Sequence, residues 1–151
     1  MKESEVTEMA VRFNQRYAQY FFEPVAESFE EEHWNAIKRR ELVFQKCARC
    51  GTWLHPPRPM CYKCHSYDLE WVKSSGKGKI YSWVTFTREV SPFYKVPYEV
   101  VLVEMDDEKG VRFISNMAEG NPEDLYIGMP VELVWVDVTE EQPLPMFRPA
   151  K

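Results

Sequence analysis

The sequence predicts a mainly β fold with N-terminal helices: a helical hairpin, a cysteine-rich ribbon and a five-stranded barrel. Three observations lead to this prediction. The only four cysteines form two Cys-x-x-Cys pairs that are separated by ten residues. Before them, apolar residues recur at helical steps of three and four, and from residue 79 onward β-branched and aromatic residues recur with a period of two. We place the three parts at residues 1–41, 42–75 and 76–151.

Two helices are predicted before the cysteines. Residues 5–22 carry an apolar stripe, and Pro24 ends the first helix because proline cannot continue the hydrogen-bond ladder. Ser28 and Glu31 have capping-box spacing, which predicts a second helix over about residues 29–40. These helices either fold back on the rest of the chain or dock on another subunit, and exposed apolar patches favour docking. The candidate docking anchors are Tyr17, Tyr20, Phe21, Phe22 and Trp34.

The two cysteine pairs predict a metal site. Cys47 with Cys50, and Cys61 with Cys64, each form a short knuckle, and a hairpin lets the two knuckles face each other. Four thiolates at tetrahedral geometry are the ligands of a structural zinc ion, and iron suits the same four sulfurs. A metal ion with four thiolate ligands has no open coordination position for water. We therefore expect the site to stabilise the fold and not to catalyse a reaction.

Other roles for these cysteines and their neighbours are less well supported. Two disulfides need an oxidising compartment, and the acidic N-terminus has no secretory segment. A redox motif needs one Cys-x-x-Cys pair at a strand–helix junction, whereas this chain has two pairs around a proline-rich insert. His55 and His65 lie near the cysteines in sequence, and we expect them at the surface or beside the ligands.

The residues after Gly76 predict the barrel. The polar stretch 106–110 joins two strands as a hairpin, and residues 121–124 form a helical turn between the third and fourth strands. Five short antiparallel strands with this one interruption are typical of an OB-type barrel. Glu99 and Glu104 are expected to face solvent. The predicted strands are 42–46 and 67–72 in the ribbon, then 79–89, 98–105, 111–117, 130–138 and a short one at 146–147.

Composition and charge narrow the function. Hydrophobic residues make up 44% of the 151 residues, which supports a packed core, and no apolar run approaches the ~20 residues of a membrane helix, so we expect a cytoplasmic protein. Residues 1–45 carry net −3, residues 46–95 net +6 and residues 96–151 net −8. The basic middle either attracts phosphate-bearing ligands or only offsets the charge of the thiolates.

A series of motifs runs over nearly the whole chain. It consists of the two helices, the two cysteine pairs, Pro56-Pro57-Arg58, Gly76-Lys77-Gly78, Pro97-Tyr98, Ser115-Asn116, Ile127-Gly128-Met129-Pro130-Val131 and Phe147-Arg148-Pro149. Together these motifs resemble the OB-fold, acyl-CoA-associated zinc-ribbon family, long filed as a domain of unknown function. The resemblance implies a rubredoxin-like zinc ribbon joined to an OB barrel.

The resemblance also implies a partner. The chain is similar to the small, non-catalytic subunits of two-subunit thiolases, such as benzoylsuccinyl-CoA thiolase, with two small and two large subunits. A thiolase needs a nucleophilic cysteine, and this chain has none to spare. We therefore expect a zinc-binding accessory subunit that binds a thiolase-like catalytic subunit and helps to hold acyl-CoA. The candidate contacts to the CoA phosphates are Arg49, Arg58, Lys63, Lys77 and Lys79.

A single-stranded nucleic-acid-binding module is the alternative. OB barrels bind single strands by stacking bases on aromatic side chains within a basic groove. The isoelectric point of about 5.3 and the acidic strands after residue 96 oppose this alternative. A stand-alone enzyme would need a Ser–His or carboxylate constellation, and no recognisable spacing provides one. The aromatic residues near the basic stretch are Tyr81, Trp83, Phe86, Phe93 and Tyr94.

Overall fold

The computed structural model describes residues 28–90, 92, 95–139 and 142–151. The predicted first helix over residues 5–22 lies outside these ranges. Within them, no helix has the length and apolar character needed to cross a membrane. Six of the aromatic residues singled out above also lie outside the described ranges: Tyr17, Tyr20, Phe21, Phe22, Phe93 and Tyr94.

From residue 28 onward, one α-helix precedes the ribbon: α1 (Glu31–Lys38), which is shorter than the predicted 29–40. The predicted capping box is wrong, because the N-cap is Glu30 and no side chain caps it. Glu31 is therefore the first helical residue and not the third, so Ser28 lies too far upstream to cap. At the other end, Arg40 reaches both carboxylate oxygens of Asp137 at 2.6 and 2.8 Å, which ties the helix to the barrel.

The ribbon is a three-stranded antiparallel sheet. Its strands are β1 (Val43–Cys47), β2 (Trp53–Leu54) and β3 (Leu69–Lys73), in the order β2-β1-β3. The two predicted ribbon strands agree with β1 and β3 to within two residues. The two residues of β2 are too few to display a period, which is why the sequence does not predict this strand.

The barrel is a five-stranded sheet in the order β6-β5-β4-β7-β8. The N–H of Ala118 donates to the carbonyl of Phe147 at 2.7 Å, and a parallel bridge joins Met117 to Phe147. These contacts draw the edge strands β6 and β8 together, so the barrel is nearly closed. The strands are β4 (Lys77–Phe86), β5 (Tyr98–Met105), β6 (Arg112–Asn116), β7 (Pro130–Asp137) and β8 (Pro143–Pro149).

The predicted fold class is confirmed: a mainly β chain with a four-cysteine ribbon and a five-stranded OB-type barrel. A 3-10 helix at Pro122–Asp124 interrupts the strands between β6 and β7, as expected. Two glycines at the start of the barrel have different roles: Gly76 forms a turn, and Gly78 lets strand β5 approach β4 closely. Gly76 has φ +73°, and a Cβ on Gly78 would lie 2.7 Å from the carbonyl oxygen of Glu104.

The ribbon and the barrel share one apolar core. Phe44 of β1 is 1% exposed, and its ring lies 5.8 Å from that of Phe113 in β6. Leu42 and Phe44 belong to the same buried cluster as the barrel residues Ile80 and Phe147. The position of the ribbon on the barrel is therefore fixed by side-chain packing.

The expectation that Glu99 faces solvent is wrong. Glu99 is only 2% exposed, whereas Glu104 is exposed and pairs with Arg112 at 3.2 Å. Side chains alternate along β5, so Glu99 shares the inner face with Val101 and Val103, and Glu104 lies on the outer face.

Candidate metal centre

Two turns of matching geometry hold the cysteines. The N–H of Gly51 donates to the carbonyl of Cys47 at 2.8 Å, and the N–H of His65 donates to the carbonyl of Cys61 at 2.9 Å. The N–H of each of these two cysteines then donates to the carbonyl five residues later, at 2.8 and 2.9 Å. Gly51 (φ +70°) and His65 (φ +57°) occupy the same left-handed position in their knuckles. The two halves of the site are thus built alike.

Gly51→Ala should destabilise the zinc-loaded protein by about 1 kcal/mol, because the left-handed conformation costs an L side chain about that much. Nothing lies within 4 Å of a Cβ added at Gly51, so the loss would come from the backbone alone. His65→Gly is the matched control and should stay within about 0.5 kcal/mol of wild type, since relieved strain and added chain entropy nearly cancel. Urea denaturation measures both, and equal stability of Gly51→Ala and wild type would contradict this account.

The four sulfur atoms are spaced for a tetrahedral metal ion. All four lie within 4.8 Å of one another. The Sγ atoms of Cys47 and Cys64 are 3.5 Å apart, and those of Cys50 and Cys61 are 3.7 Å apart. A zinc ion with bonds of about 2.3 Å needs sulfur–sulfur distances of roughly 3.8 Å, whereas a disulfide needs about 2.05 Å. The cysteines therefore fit zinc and are not paired as disulfides.

The two sides of the site differ in burial. Cys47 and Cys61 are buried against Leu54 and Leu69, whereas Cys50 and Cys64 are exposed. This arrangement anchors the metal on an apolar floor and leaves one side open to solvent.

The exposed thiols have pKa values shifted in opposite directions. The Thr52 hydroxyl, 3.1 Å from the sulfur of Cys50, lowers the pKa of that thiol to about 6. The backbone N–H of Ser66 favours the Cys64 thiolate, but partial desolvation and the other three sulfurs outweigh it and raise the pKa of Cys64 to about 12. Four thiolates this close repel one another, and a divalent cation removes that repulsion.

Comparison with known proteins identifies the family. Residues 34–70 match the rubredoxin-like zinc ribbon domain of ChsH2, and residues 71–136 match its C-terminal OB-fold domain. A DUF35 domain-containing scaffold protein from Methanocaldococcus jannaschii is 37% identical over 111 residues, which are 72% of this chain and 77% of that protein. The chain belongs to the ChsH2/DUF35 family. The zinc-ribbon match spans all four cysteines, which supports zinc as the structural metal.

Two further relatives are parts of enzymes. The solved Ltp2-ChsH2(DUF35) aldolase superposes with a TM-score of 0.80 and 37% identity, covering 85% of this chain and 100% of that chain. A probable enoyl-CoA hydratase alpha subunit from Thermomonospora curvata is 41% identical over 117 residues, which are 78% of this chain and 36% of that protein. The chain thus spans only about a third of that hydratase subunit.

A cleft of about 380 Å³ adjoins the exposed side of the metal site in this ChsH2/DUF35 chain. We call it the knuckle cleft. The Lys46 ammonium lies 5.0 Å from the ring centroid of Trp53, and the Arg58 guanidinium lies 5.7 Å from that of Tyr62. The cleft therefore combines aromatic rings with positive charges. Its lining residues are Cys50, Gly51, Thr52, Trp53, Tyr62, Lys63, Lys109 and Gly110.

The structure divides the five predicted CoA contacts between two regions. Lys63 lines the knuckle cleft, Arg58 lies over one of its rings, and Arg49 is exposed on the first knuckle. Lys77 and Lys79 lie instead on β4, where each is opposite a glutamate of a neighbouring strand in the sheet register. The ribbon residues and the β4 residues thus form separate candidate sites, and their contacts with CoA stay predictions.

Trp34 is the one candidate docking anchor within the described ranges. It lies half-buried on α1, whose residues His33, Ala36 and Ile37 are buried against the remainder of the chain. This helix therefore folds back on its own ribbon and barrel. A role for Trp34 in contacting a partner stays a prediction.

The sequence reasoning missed Lys109 and placed His55 wrongly. Lys109 belongs to a stretch predicted only as a turn, and the fold brings that turn to the zinc ribbon. His55 lies neither at the open surface nor beside the metal, because its ring packs 5.2 Å from Phe44 and 5.3 Å from Phe113. His65 is exposed, as expected.

Burial and, to a smaller extent, the charge of the neighbouring His33 together lower the pKa of His55 to about 4. Between pH 6.5 and 4 the unfolded chain binds a proton that folded His55 does not bind, so stability falls as the pH falls. His55→Phe keeps a ring but removes this titration. Wild type should therefore lose about 2 kcal/mol more stability than His55→Phe between pH 7 and pH 5. Urea unfolding at both pH values measures this difference, and equal losses would contradict it.

Proposed function

We propose that this chain is the non-catalytic, zinc-binding accessory subunit of a thiolase-type acyl-CoA enzyme. The observation that carries the proposal is that all four cysteines of the chain converge on the metal site. No thiol is then left to accept an acyl group, which is the step that thiolase chemistry requires. The zinc ribbon and the barrel act as a rigid scaffold, and the reacting groups belong to a partner.

The relatives support a catalytic partner. One is named as an enoyl-CoA hydratase alpha subunit, and another is part of a structure titled as an Ltp2-ChsH2(DUF35) aldolase. By extension, this chain binds a catalytic subunit that acts on acyl-CoA. We propose a thiolase-like partner in a complex of two small and two large subunits.

Affinity purification of the tagged chain from its native cell tests this proposal. A thiolase-sized chain should elute with it in near-equal amount and should be identifiable by mass spectrometry. Elution of the chain alone, or with a partner that has no acyl-CoA chemistry, would refute the proposed role. Elution with a hydratase or aldolase would refute the thiolase assignment but keep the accessory role.

The knuckle cleft supports contact with the CoA nucleotide. Trp53 and Tyr62 offer faces on which an adenine ring stacks, and Lys63 and Lys109 offer positive charge to phosphate groups. Gly110 has φ +84° and nothing within 4 Å of an added Cβ, so the ligand can approach the backbone closely there. We propose that the phosphate-bearing end of CoA lies in this cleft.

Lys63→Glu and Lys109→Glu should each weaken CoA binding by the purified complex about tenfold, because each replaces an attraction to phosphate by a repulsion. Lys95→Glu, an exposed lysine outside the cleft lining, is the matched control and should leave the affinity unchanged. Isothermal titration with CoA measures all three. Unchanged CoA affinity in both cleft variants would show that the CoA nucleotide does not bind in the knuckle cleft.

The nucleic-acid alternative receives less support from the barrel. The Arg112 guanidinium lies over one face of the Tyr81 ring at 3.7 Å, and Phe86 stacks on Tyr98 at 4.9 Å, so each of these rings has one face already occupied. A salt titration with a single-stranded oligonucleotide discriminates the two functions. Micromolar binding that weakens steeply with salt would favour the nucleic-acid module.

A further inference from the structure

A second cavity, of about 310 Å³, lies at the seam between the edge strands β6 and β8. We call it the seam cavity. In the described part of the chain, the backbone bridge between Met117, which directly follows β6, and Phe147 of β8 joins the two edges, and the Ser115 hydroxyl donates across the seam to the Pro145 carbonyl. Helix α1 and the segment 55–57 complete the walls. The seam cavity shares no lining residue with the metal site or with the knuckle cleft.

The walls of the seam cavity are largely apolar and stiff. Its apolar lining comes from α1, β6 and β8 and includes Trp34, Ile37, Phe113, Leu144 and Met146. Three prolines also line it, and their fixed backbone angles limit how far the wall can relax. A preformed apolar hollow of this size lies at the small end of the range for small-molecule sites.

The charge of the lining excludes anionic ligands. Of the residues that the structure describes, no lysine or arginine lines the seam cavity, and the single charged one that does is Glu30. A carboxylate or phosphate group would therefore find no positive partner and one negative neighbour. The occupant that fits is uncharged.

Two imidazole rings supply part of the polar lining. The Ser115 hydroxyl and the Asn116 amide also line the seam cavity, but both already donate to backbone carbonyls. The Nδ1 of His33 lies 3.0 Å from the carbonyl oxygen of Val43, so it carries the proton and donates that bond. The Nδ1 of His55 is enclosed and has no hydrogen-bond partner in the described chain, whereas its Nε2 is not among the enclosed, unbonded atoms. Enclosing an unbonded lone pair costs less free energy than enclosing an unbonded N–H. We therefore assign the proton of His55 to Nε2. That N–H is available to an acceptor.

We propose that the seam cavity binds a neutral carbonyl compound with a single ring or a short chain, whose oxygen accepts a hydrogen bond from His55 Nε2. The apolar walls take the ring or chain, and the lack of cations selects against an acid. This site is independent of the proposed role as an accessory subunit, because it requires no partner and no CoA nucleotide.

Titration of the zinc-loaded full chain with three ring compounds tests the ligand class. Acetophenone has a neutral carbonyl, ethylbenzene has the same shape without it, and benzoate carries a negative charge. The NMR shifts of the Trp34 indole and the His55 ring report binding at this site. Acetophenone should bind saturably, about three- to tenfold more tightly than ethylbenzene, and benzoate should bind more weakly than both.

Three variants test the location and the hydrogen bond. Ile114→Trp places a bulky ring at the mouth of the seam cavity and should abolish acetophenone binding, whereas Ile127→Trp should not. These two isoleucines are matched, since they are 67% and 65% exposed. His55→Phe should remove the preference for acetophenone over ethylbenzene. No saturable acetophenone binding by wild type, or equal binding by the two tryptophan variants, would overturn the proposal.

Discussion

Cys61→Ser should abolish stoichiometric zinc binding and leave the ribbon unfolded. Serine is a poor zinc ligand. Because position 61 is 0% exposed and lies among apolar side chains, water cannot reach it to serve as the fourth ligand instead. Structural zinc contributes on the order of 10–16 kcal/mol of binding free energy, which exceeds or matches the roughly 5–15 kcal/mol stability of a whole domain. Metal analysis and circular dichroism of the purified variant measure both effects.

Thr52→Val is the matched control for the cysteine variant. It removes the hydroxyl 3.1 Å from the sulfur of Cys50 but leaves all four sulfurs in place. This control should keep one zinc ion per chain and a folded ribbon. A Cys61→Ser protein with wild-type zinc content and an unchanged unfolding midpoint would mean that the metal is not what holds the ribbon.

Phe44→Ala should cost about 3–5 kcal/mol and destabilise the ribbon and the barrel together. Phe44 belongs to strand β1 of the ribbon, yet its ring packs on the barrel residue Phe113 within one buried cluster. Truncation leaves a cavity at this junction. Urea denaturation, with barrel fluorescence and zinc release followed in the same samples, should give coincident transitions at a lower urea concentration.

Tyr67→Ala is the control for the core variant. Tyr67 is an aromatic residue of the ribbon that is 76% exposed, so its loss should change the free energy of unfolding by less than about 0.5 kcal/mol. Two separate transitions in Phe44→Ala, with the barrel unaffected, would show that ribbon and barrel do not share a core.

The sequence was most informative where side-chain periods are regular. The alternating residues of β5 predicted its bounds without error, and the spacing of the cysteines predicted the metal site. Strand β8 was predicted at only two of its seven residues, because Pro143, Pro145 and Pro149 conceal its period. An edge strand tolerates prolines, since their missing N–H groups need not pair.

The remaining errors concern contacts that sequence order cannot reveal. Glu99 looked like a solvent-facing charge, and only the register of β5 places it inside. Lys109 gains its position beside the metal site from the packing of the β5–β6 turn on the ribbon. The placement of His55 depends on the shared core, which brings residues 44 and 113 around its ring. Each of these features is set by long-range packing and has no local signal.

Turnover of an acyl-CoA thioester tests the central claim most directly: this zinc-bound chain is a scaffold for a partner's chemistry. The isolated, zinc-loaded chain should give no turnover above the buffer rate, and the partner that purifies with it should be active only when both are present. Thioester turnover by the isolated chain at an enzymatic rate would contradict the account.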